Sequence, residues 1–278
     1  MNLQDEVKFQ SDNFNQLKKK YSSAESYRSG KEHRLSCIQL SEQILKTKIK
    51  GNCLELGAGT GYFSAYLLAN RPETFVTLLE CTYEAKEVIQ SCIKAHSITE
   101  ERYQILIGDF TEFTLPNSMD YVFVMGALHH SYALEKTMTK IYENLKPSGY
   151  LIAHEPAFDD FASREHLQHH YQQRLGIDPT QEEPTLPRHD FFFRECEYRR
   201  AAIASGLDLI TWKRLEKKTK ISWKRKLKSL VKSFSTKLEN KSNPTDKSKQ
   251  TEDLKSYLMI FQKPPSSVGL WIPHKSLL

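Results

Sequence analysis

Two rhythms of apolar positions alternate along this chain. Between Lys31 and Lys48, Leu35, Ile38, Ser41 and Leu45 return every three or four residues, the spacing of an amphipathic helix. Short strand-like runs then take turns with helical stretches. Asn52–Leu56 predicts a strand that ends in a Gly-rich turn, and Tyr62–Ala69 a helix. Thr74–Leu79 predicts a second strand and Tyr83–Ala95 a second helix, followed by strands over Tyr103–Ile107 and Tyr121–Met125. A helix over Leu134–Leu145 is stopped by Lys146-Pro147-Ser148-Gly149, ahead of a fifth strand, Tyr150–His154. After Glu155 the rhythm breaks, and residues 156–190 are rich in His, Gln and Pro. It resumes with a helix over Arg194–Ala204 that ends at Gly206, and with strands over Leu207–Trp212 and Ser256–Gln262. Strands alternating with helices of this length predict an α/β fold, a parallel sheet with helices on both faces. Residues 1–30 read as a polar, loosely helical lead-in, 31–263 as the domain, and 264–278, opening on Pro264-Pro265-Ser266-Ser267, as a loose tail.

Composition narrows the class. With 39% apolar and 11% aromatic residues the 278-residue chain can fill a core, which excludes a disordered protein. The opening residues have no apolar stretch of the secretory kind, and no apolar run approaches the roughly 18 residues of a membrane span. Five scattered cysteines without a C-x-x-C pair point to reduced thiols and a cytoplasmic protein.

Charge adds a second feature. The formal net charge is +6, yet residues 211–250 alone hold 14 Lys and Arg against three acids, which leaves the rest of the chain mildly acidic. Within this basic insertion, about 213–252, Ile221, Trp223, Leu227, Leu230, Val231, Phe234 and Leu238 recur at helical spacing. Lys224, Arg225, Lys226, Lys228 and Lys232 occupy the other side. Three readings compete: peripheral contact of 221–238 with an anionic membrane, capture of nucleic-acid phosphates, or a surface helix packed on the sheet. The aromatics are not interleaved as stacking platforms, which favours the membrane over nucleic acid.

The chemistry concentrates in Glu55-Leu56-Gly57-Ala58-Gly59-Thr60-Gly61, between a strand and a helix. Glycines let the chain turn sharply and let a ligand approach the backbone, while the helix start offers free N–H donors. A dinucleotide fingerprint needs G-x-G-x-x-G, but here Tyr62 follows Gly61 and the spacing is G-x-G-x-G. Glu55 would repel a pyrophosphate and suits a ligand carrying an ammonium and a sulfonium.

This segment resembles the first motif of class I S-adenosylmethionine-dependent methyltransferases, closest in style to members acting on quinones and other small molecules. The resemblance implies a Rossmann-like three-layer sandwich with seven strands, mostly parallel, the last antiparallel. It also implies S-adenosyl-L-methionine as cofactor, with Glu55, Gly57, Gly59 and Gly61 around its methionine part. Glu80, 23 residues after Gly57, would take the ribose hydroxyls, since a carboxylate can accept from both members of a vicinal diol. Asp109 would bond the adenine amino group, with Phe110 or Ile107 beside the ring. The likeness runs from about Lys50 to Glu155, through Gly126-Ala127-Leu128-His129-His130 and Leu145-Lys146-Pro147-Ser148-Gly149, where Ser148 stands in place of the usual Gly.

In that family the segments after strands four and five face the transferred methyl, which makes His129, His130 and Glu155 the catalytic candidates. Histidine titrates near neutrality and can act as a base. Adjacent histidines are expected to point opposite ways, and His130 is preferred. The Ala-Leu-His-His segment is similar to that of enzymes acting on quinones, other small molecules and lipid-linked acceptors, and transfer-RNA-modifying relatives carry similar patterns. Residues 156–195 stand where the family places an acceptor lid. Their His166, His169, His170, His189 and Asp190 have no recognisable metal-ligand spacing, so no metal is expected. The leading expectation is O-methylation of a small-molecule, lipid-linked or saccharide acceptor. The alternatives are an RNA methyltransferase using the basic insertion, and a cofactor-binding, non-catalytic partner protein.

Overall fold

Strands whose apolar side chains alternate between two cores build the centre of this protein. In β4 (Met119–Met125), Tyr121, Phe123 and Met125 pack into one core while Val122 and Val124 enter the other. In β2 (Thr74–Glu80), Val76 and Leu78 join the first core and Leu79 the second. β1 (Gly51–Leu56) does the same with Cys53 against Leu54 and Leu56. Burial on both faces is the condition under which a parallel sheet forms.

The computed structural model describes residues 3–20, 32–163, 193–215 and 254–265. Helices α1 (Leu3–Lys20), α2 (Glu32–Leu45), α3 (Tyr62–Asn70) and α4 (Tyr83–Ala95) lie with the first core. Helices α5 (Leu134–Asn144) and α6 (Glu195–Ala204) lie with the second. The remaining strands are β3 (Tyr103–Ile107), β5 (Leu145–Ala157), β6 (Asp208–Leu215) and β7 (Lys255–Gln262). The sheet order is β3-β2-β1-β4-β5-β7-β6, and β7 is antiparallel to both of its neighbours. This is the expected three-layer sandwich. The chain reverses direction across the sheet between β1 and β4, and open α/β sheets bind ligands at the carboxyl ends of the strands flanking such a point.

The structure departs from the pattern-based boundaries where long-range pairing intervenes. β5 starts at Leu145, because Leu145 already pairs with Met119 before Tyr150 pairs with Tyr121. Lys146–Gly149 is thus an irregularity within the pairing, not a linker. Ser148 sits there at φ 64, in the left-handed region where glycine carries no steric cost. β6 runs on to Leu215, so the first residues assigned to the basic insertion are strand. Within the expected helical lead-in, Leu3–Lys20 form a helix of 18 residues that packs on α4.

Residues 164–192 of the expected lid, including the histidines and Asp190 considered as metal ligands, lie outside the described residues. So do residues 216–253, which hold the proposed amphipathic stretch, and the tail from 266. The ends of the first two are placed. Phe158 N–H donates to the Phe193 carbonyl at 3.1 Å and Glu195 N–H to that of Phe158 at 3.0 Å, so Phe193–Glu195 lie beside the end of β5. Leu215 pairs with Ser256, and Lys255 with Ala157 at the carboxyl end of β5. The described residues that flank both stretches therefore stand at the edge of the sheet where the parallel strands end. No described helix is long and apolar enough to cross a membrane.

Candidate active site

The turn after β1 is shaped by three left-handed glycines, Gly57 (φ 68), Gly59 (φ 60) and Gly61 (φ 74). Two are also forced by packing. A Cβ on Gly57 would lie 2.4 Å from the Ala127 Cβ, and one on Gly61 would lie 2.9 Å from Ile89 Cγ2. Gly59 differs, because a Cβ there meets no protein atom within 4 Å. Its bare backbone instead borders a cavity of about 330 Å³ at the carboxyl ends of the strands.

The carboxyl ends of β1, β2, β3 and β4 and the turns after them each contribute to that cavity: Gly57 and Gly59, then Glu80, then Asp109 and Phe110, then His130. Glu80 is only 6% exposed. One of its oxygens accepts the Gly59 N–H, and the other that of Cys81 at 3.2 Å. The Gly turn and the end of β2 are thus tied by the carboxylate expected to take the ribose. Asp109 accepts the Thr111 N–H and, at 3.2 Å, the Tyr132 hydroxyl, which also pairs with Thr111 Oγ1 at 2.9 Å. A carboxylate has about four lone-pair sites, which suits it to accept from a diol or an amino group.

Four of the expected site residues stand elsewhere. Among the described residues lining the cavity, Glu55, Gly61, His129 and Glu155 do not appear. Glu55 is buried and accepts the Ser64 hydroxyl of α3. Glu155 is fully buried, and its Oε1 accepts three backbone N–H groups from the turn after β4: Gly126 at 3.1 Å, Ala127 at 2.7 Å and Leu128 at 2.9 Å. Its Oε2 meets His129 Nδ1 at 2.8 Å. Burial alone would push the Glu155 carboxyl up, but the His129 hydrogen bond and charge, with the amides of Leu128 and Ala127, hold it below the usual carboxylate range.

The two histidines do not point opposite ways. That expectation fits a strand, whereas Leu128–His130 form a 3-10 turn, and the rings lie 4.3 Å apart, tilted by 36°. His130 borders the cavity. His129 is instead held against Glu155, its Nδ1 meeting Oε2 at 2.8 Å.

One wall was missed. Gln10, Asn13, Phe14 and Leu17 of α1 line the cavity. Their spacing of i, i+3, i+4 and i+7 is that of a helix face, but with two of the four polar it carries no apolar period.

Fold and site together define a class. Residues 48–231 match the family described as a methyltransferase domain, and the chain belongs to it, carrying a class I S-adenosylmethionine-dependent methyltransferase domain. Among particular relatives, the chain is 26% identical over 164 residues to the malonyl-[acyl-carrier protein] O-methyltransferase of Priestia megaterium (strain DSM 319 / IMG 1521), across 59% of this chain and 57% of that protein. It is 28% identical over 118 residues to the rRNA adenine N-6-methyltransferase of Lysinibacillus sphaericus, across 42% and 43%. The chain thus spans about half the length of the curated relatives it matches. An O-methyltransferase family protein from Burkholderia thailandensis shares the fold, with a TM-score of 0.58 and 10% identity over 88% of this chain and 60% of that one.

Proposed function

We propose that this chain methylates an oxygen of a small acceptor, free or carried on a lipid or saccharide, with His130 as the general base. The observation that carries this reading is the position of His130, on the wall of the same cavity that Gly59, Glu80 and Asp109 border. The residues fit the cofactor: Gly59 leaves a cradle that a Cβ would fill, and two carboxylates, each an acceptor of several hydrogen bonds, border the cavity at and just after the ends of β2 and β3. Glu80 would hold the ribose and Asp109 the adenine amino group, with Phe110 beside the ring. Bound S-adenosylmethionine supplies a methyl carbon already activated by its sulfonium. The protein's part is to align the acceptor and to remove the proton of its hydroxyl, which His130 is placed to take.

The O-methyltransferase relative supports the small-acceptor reading. A second reading, methylation of RNA, is favoured by the rRNA methyltransferase relative together with the basic insertion, whose two ends meet the fold on the cavity's side of the sheet. The preferred role for 221–238 remains contact of a cytoplasmic enzyme with an anionic lipid surface that presents the acceptor.

Calorimetric titration with S-adenosylhomocysteine, with NAD as control, tests the cofactor assignment. Selective micromolar binding is expected, and Glu80→Ala weakens it by about 1.5–3 kcal/mol, the range for hydrogen bonds to a charged group. Unchanged affinity in a folded variant would remove Glu80 from the ribose site. Methyl-labelled S-adenosylmethionine incubated with cell extract then sorts the acceptors. Label in small or lipid-extractable molecules, with liposome co-sedimentation lost on Trp223→Glu, is the expected result. Salt-sensitive RNA retention with label in RNA favours the second reading. Cofactor binding without turnover on any extract would make the chain a non-catalytic partner.

A further inference from the structure

We infer that α1 is part of the cofactor site: Gln10 and Asn13 contribute hydrogen bonds to the bound cofactor, and Phe14 holds the helix in place over it. This rests on reading the cavity as the S-adenosylmethionine site. The helix lies outside the family match, which begins at residue 48, so none of the family's motifs provides this wall.

Three observations place it there. The cavity-lining residues of α1 fall on a single face, with the carboxamides in one half and Phe14 and Leu17 in the other. Phe14 is 3% exposed, in a helix most of whose neighbouring side chains are in solvent, so it anchors the segment. Ser11 Oγ donates to Glu84 Oε2 at 2.9 Å, in the first turn of α4, four residues after Glu80. α1 therefore crosses the β2–α4 turn and stands opposite the carboxylate expected to take the ribose.

The chemistry of that face suits the ligand. Carboxamides both donate and accept, as hydroxyls and an amino-acid end group require, and the apolar half shields the interior from water. A ligand that touches both α1 and the sheet binds the docked helix in preference to the undocked one. It therefore stabilises docking, and docking in turn strengthens binding. Release of the demethylated cofactor then needs the helix to lift, which couples the exchange rate to the Phe14 contact.

The test compares the full-length protein with Asn13→Ala and Phe14→Ala by titration and stopped-flow release of S-adenosylhomocysteine. Hydrogen exchange over residues 8–17 is followed with and without the ligand. Asn13→Ala is expected to weaken binding by about 2- to 12-fold, the span of a single net hydrogen bond. Phe14→Ala is expected to speed release by at least about tenfold, as lost burial of an aromatic ring allows. Protection of the α1 amides is expected to rise with ligand. Variants that match the wild type in affinity and release rate, with α1 protection unchanged by ligand, overturn the inference and leave the cofactor reading intact. Absence of binding by the wild type overturns both. Should Phe14→Ala fail to fold, the exposed Asn13→Ala decides by itself.

Discussion

His130→Ala lowers turnover by about 10²–10⁴-fold, the usual contribution of a positioned general base, and leaves S-adenosylhomocysteine affinity within about twofold. The split follows from geometry. His130 borders the cavity that Gly59, Glu80 and Asp109 surround, yet the family resemblance assigns it to the acceptor rather than to the cofactor. A base must be unprotonated to act, so the wild-type rate rises with pH as the histidine loses its proton. That rising limb disappears in the variant. His129→Ala behaves differently, since His129 meets Glu155 at 2.8 Å and its loss disturbs a buried carboxylate. Stability falls together with rate in that case. Steady-state rates with saturating cofactor, across pH, check both variants. Full turnover by a folded His130→Ala protein would show that methyl transfer needs no base at this position.

Glu155→Ala, behind the cavity wall, is expected to destabilise the fold by about 3–5 kcal/mol. Three backbone N–H groups from residues 126–128 converge on one of its oxygens, and His129 meets the other. Truncation leaves these donors without their acceptor, those of Ala127 and Leu128 in buried positions, and each buried group costs about 1–3 kcal/mol. For a domain of this size the melting temperature then falls by about 6–20 °C. Glu155→Gln retains an amide oxygen for the three N–H groups but loses the charge and the second acceptor oxygen toward His129, so its cost is intermediate, about 1–3 kcal/mol.

The pH dependence has a definite sign. The folded-state pKa of Glu155 is lowered, so its contribution is fully present above the ordinary carboxylate range and is lost as pH falls through the lowered value. Thermal melts between about pH 3 and 7 should show an acid limb in the wild type that is flatter in Glu155→Gln. The same variants report on positioning. The three bonded amides fix the exit of β4 and the 3-10 turn that presents His130, so turnover should fall with stability. Equal melting temperatures for wild type and Glu155→Ala would mean that other contacts hold this turn.

What could be read from the chain alone was what neighbouring residues decide. The ends of α4 and β3 fall where the pattern puts them, because a capping Thr82 and a run of apolar and aromatic residues are local causes. The G-x-G-x-G turn was legible for the same reason: each glycine is required by a positive φ at its own position. Glu80, Asp109 and Phe110 are candidates through the family resemblance at the ends of predicted strands, and the parallel sheet brings those strand ends to one cavity.

The roles that needed the folded structure depend on residues far apart in sequence. Glu155 looks like a free acid after a strand until the turn 26 to 29 residues before it supplies four hydrogen-bonding partners. Which histidine faces the cavity turns on a 3-10 geometry that this carboxylate helps to set. Leu145 joins β5 only because Met119 lies beside it. The polar face of α1 shows no apolar rhythm, and packing against α4 gives it a place. Local sterics and burial periodicity determined the elements and the glycine turn. Buried polar pairing between distant segments, which no short window of sequence contains, decided which side chains meet the cavity.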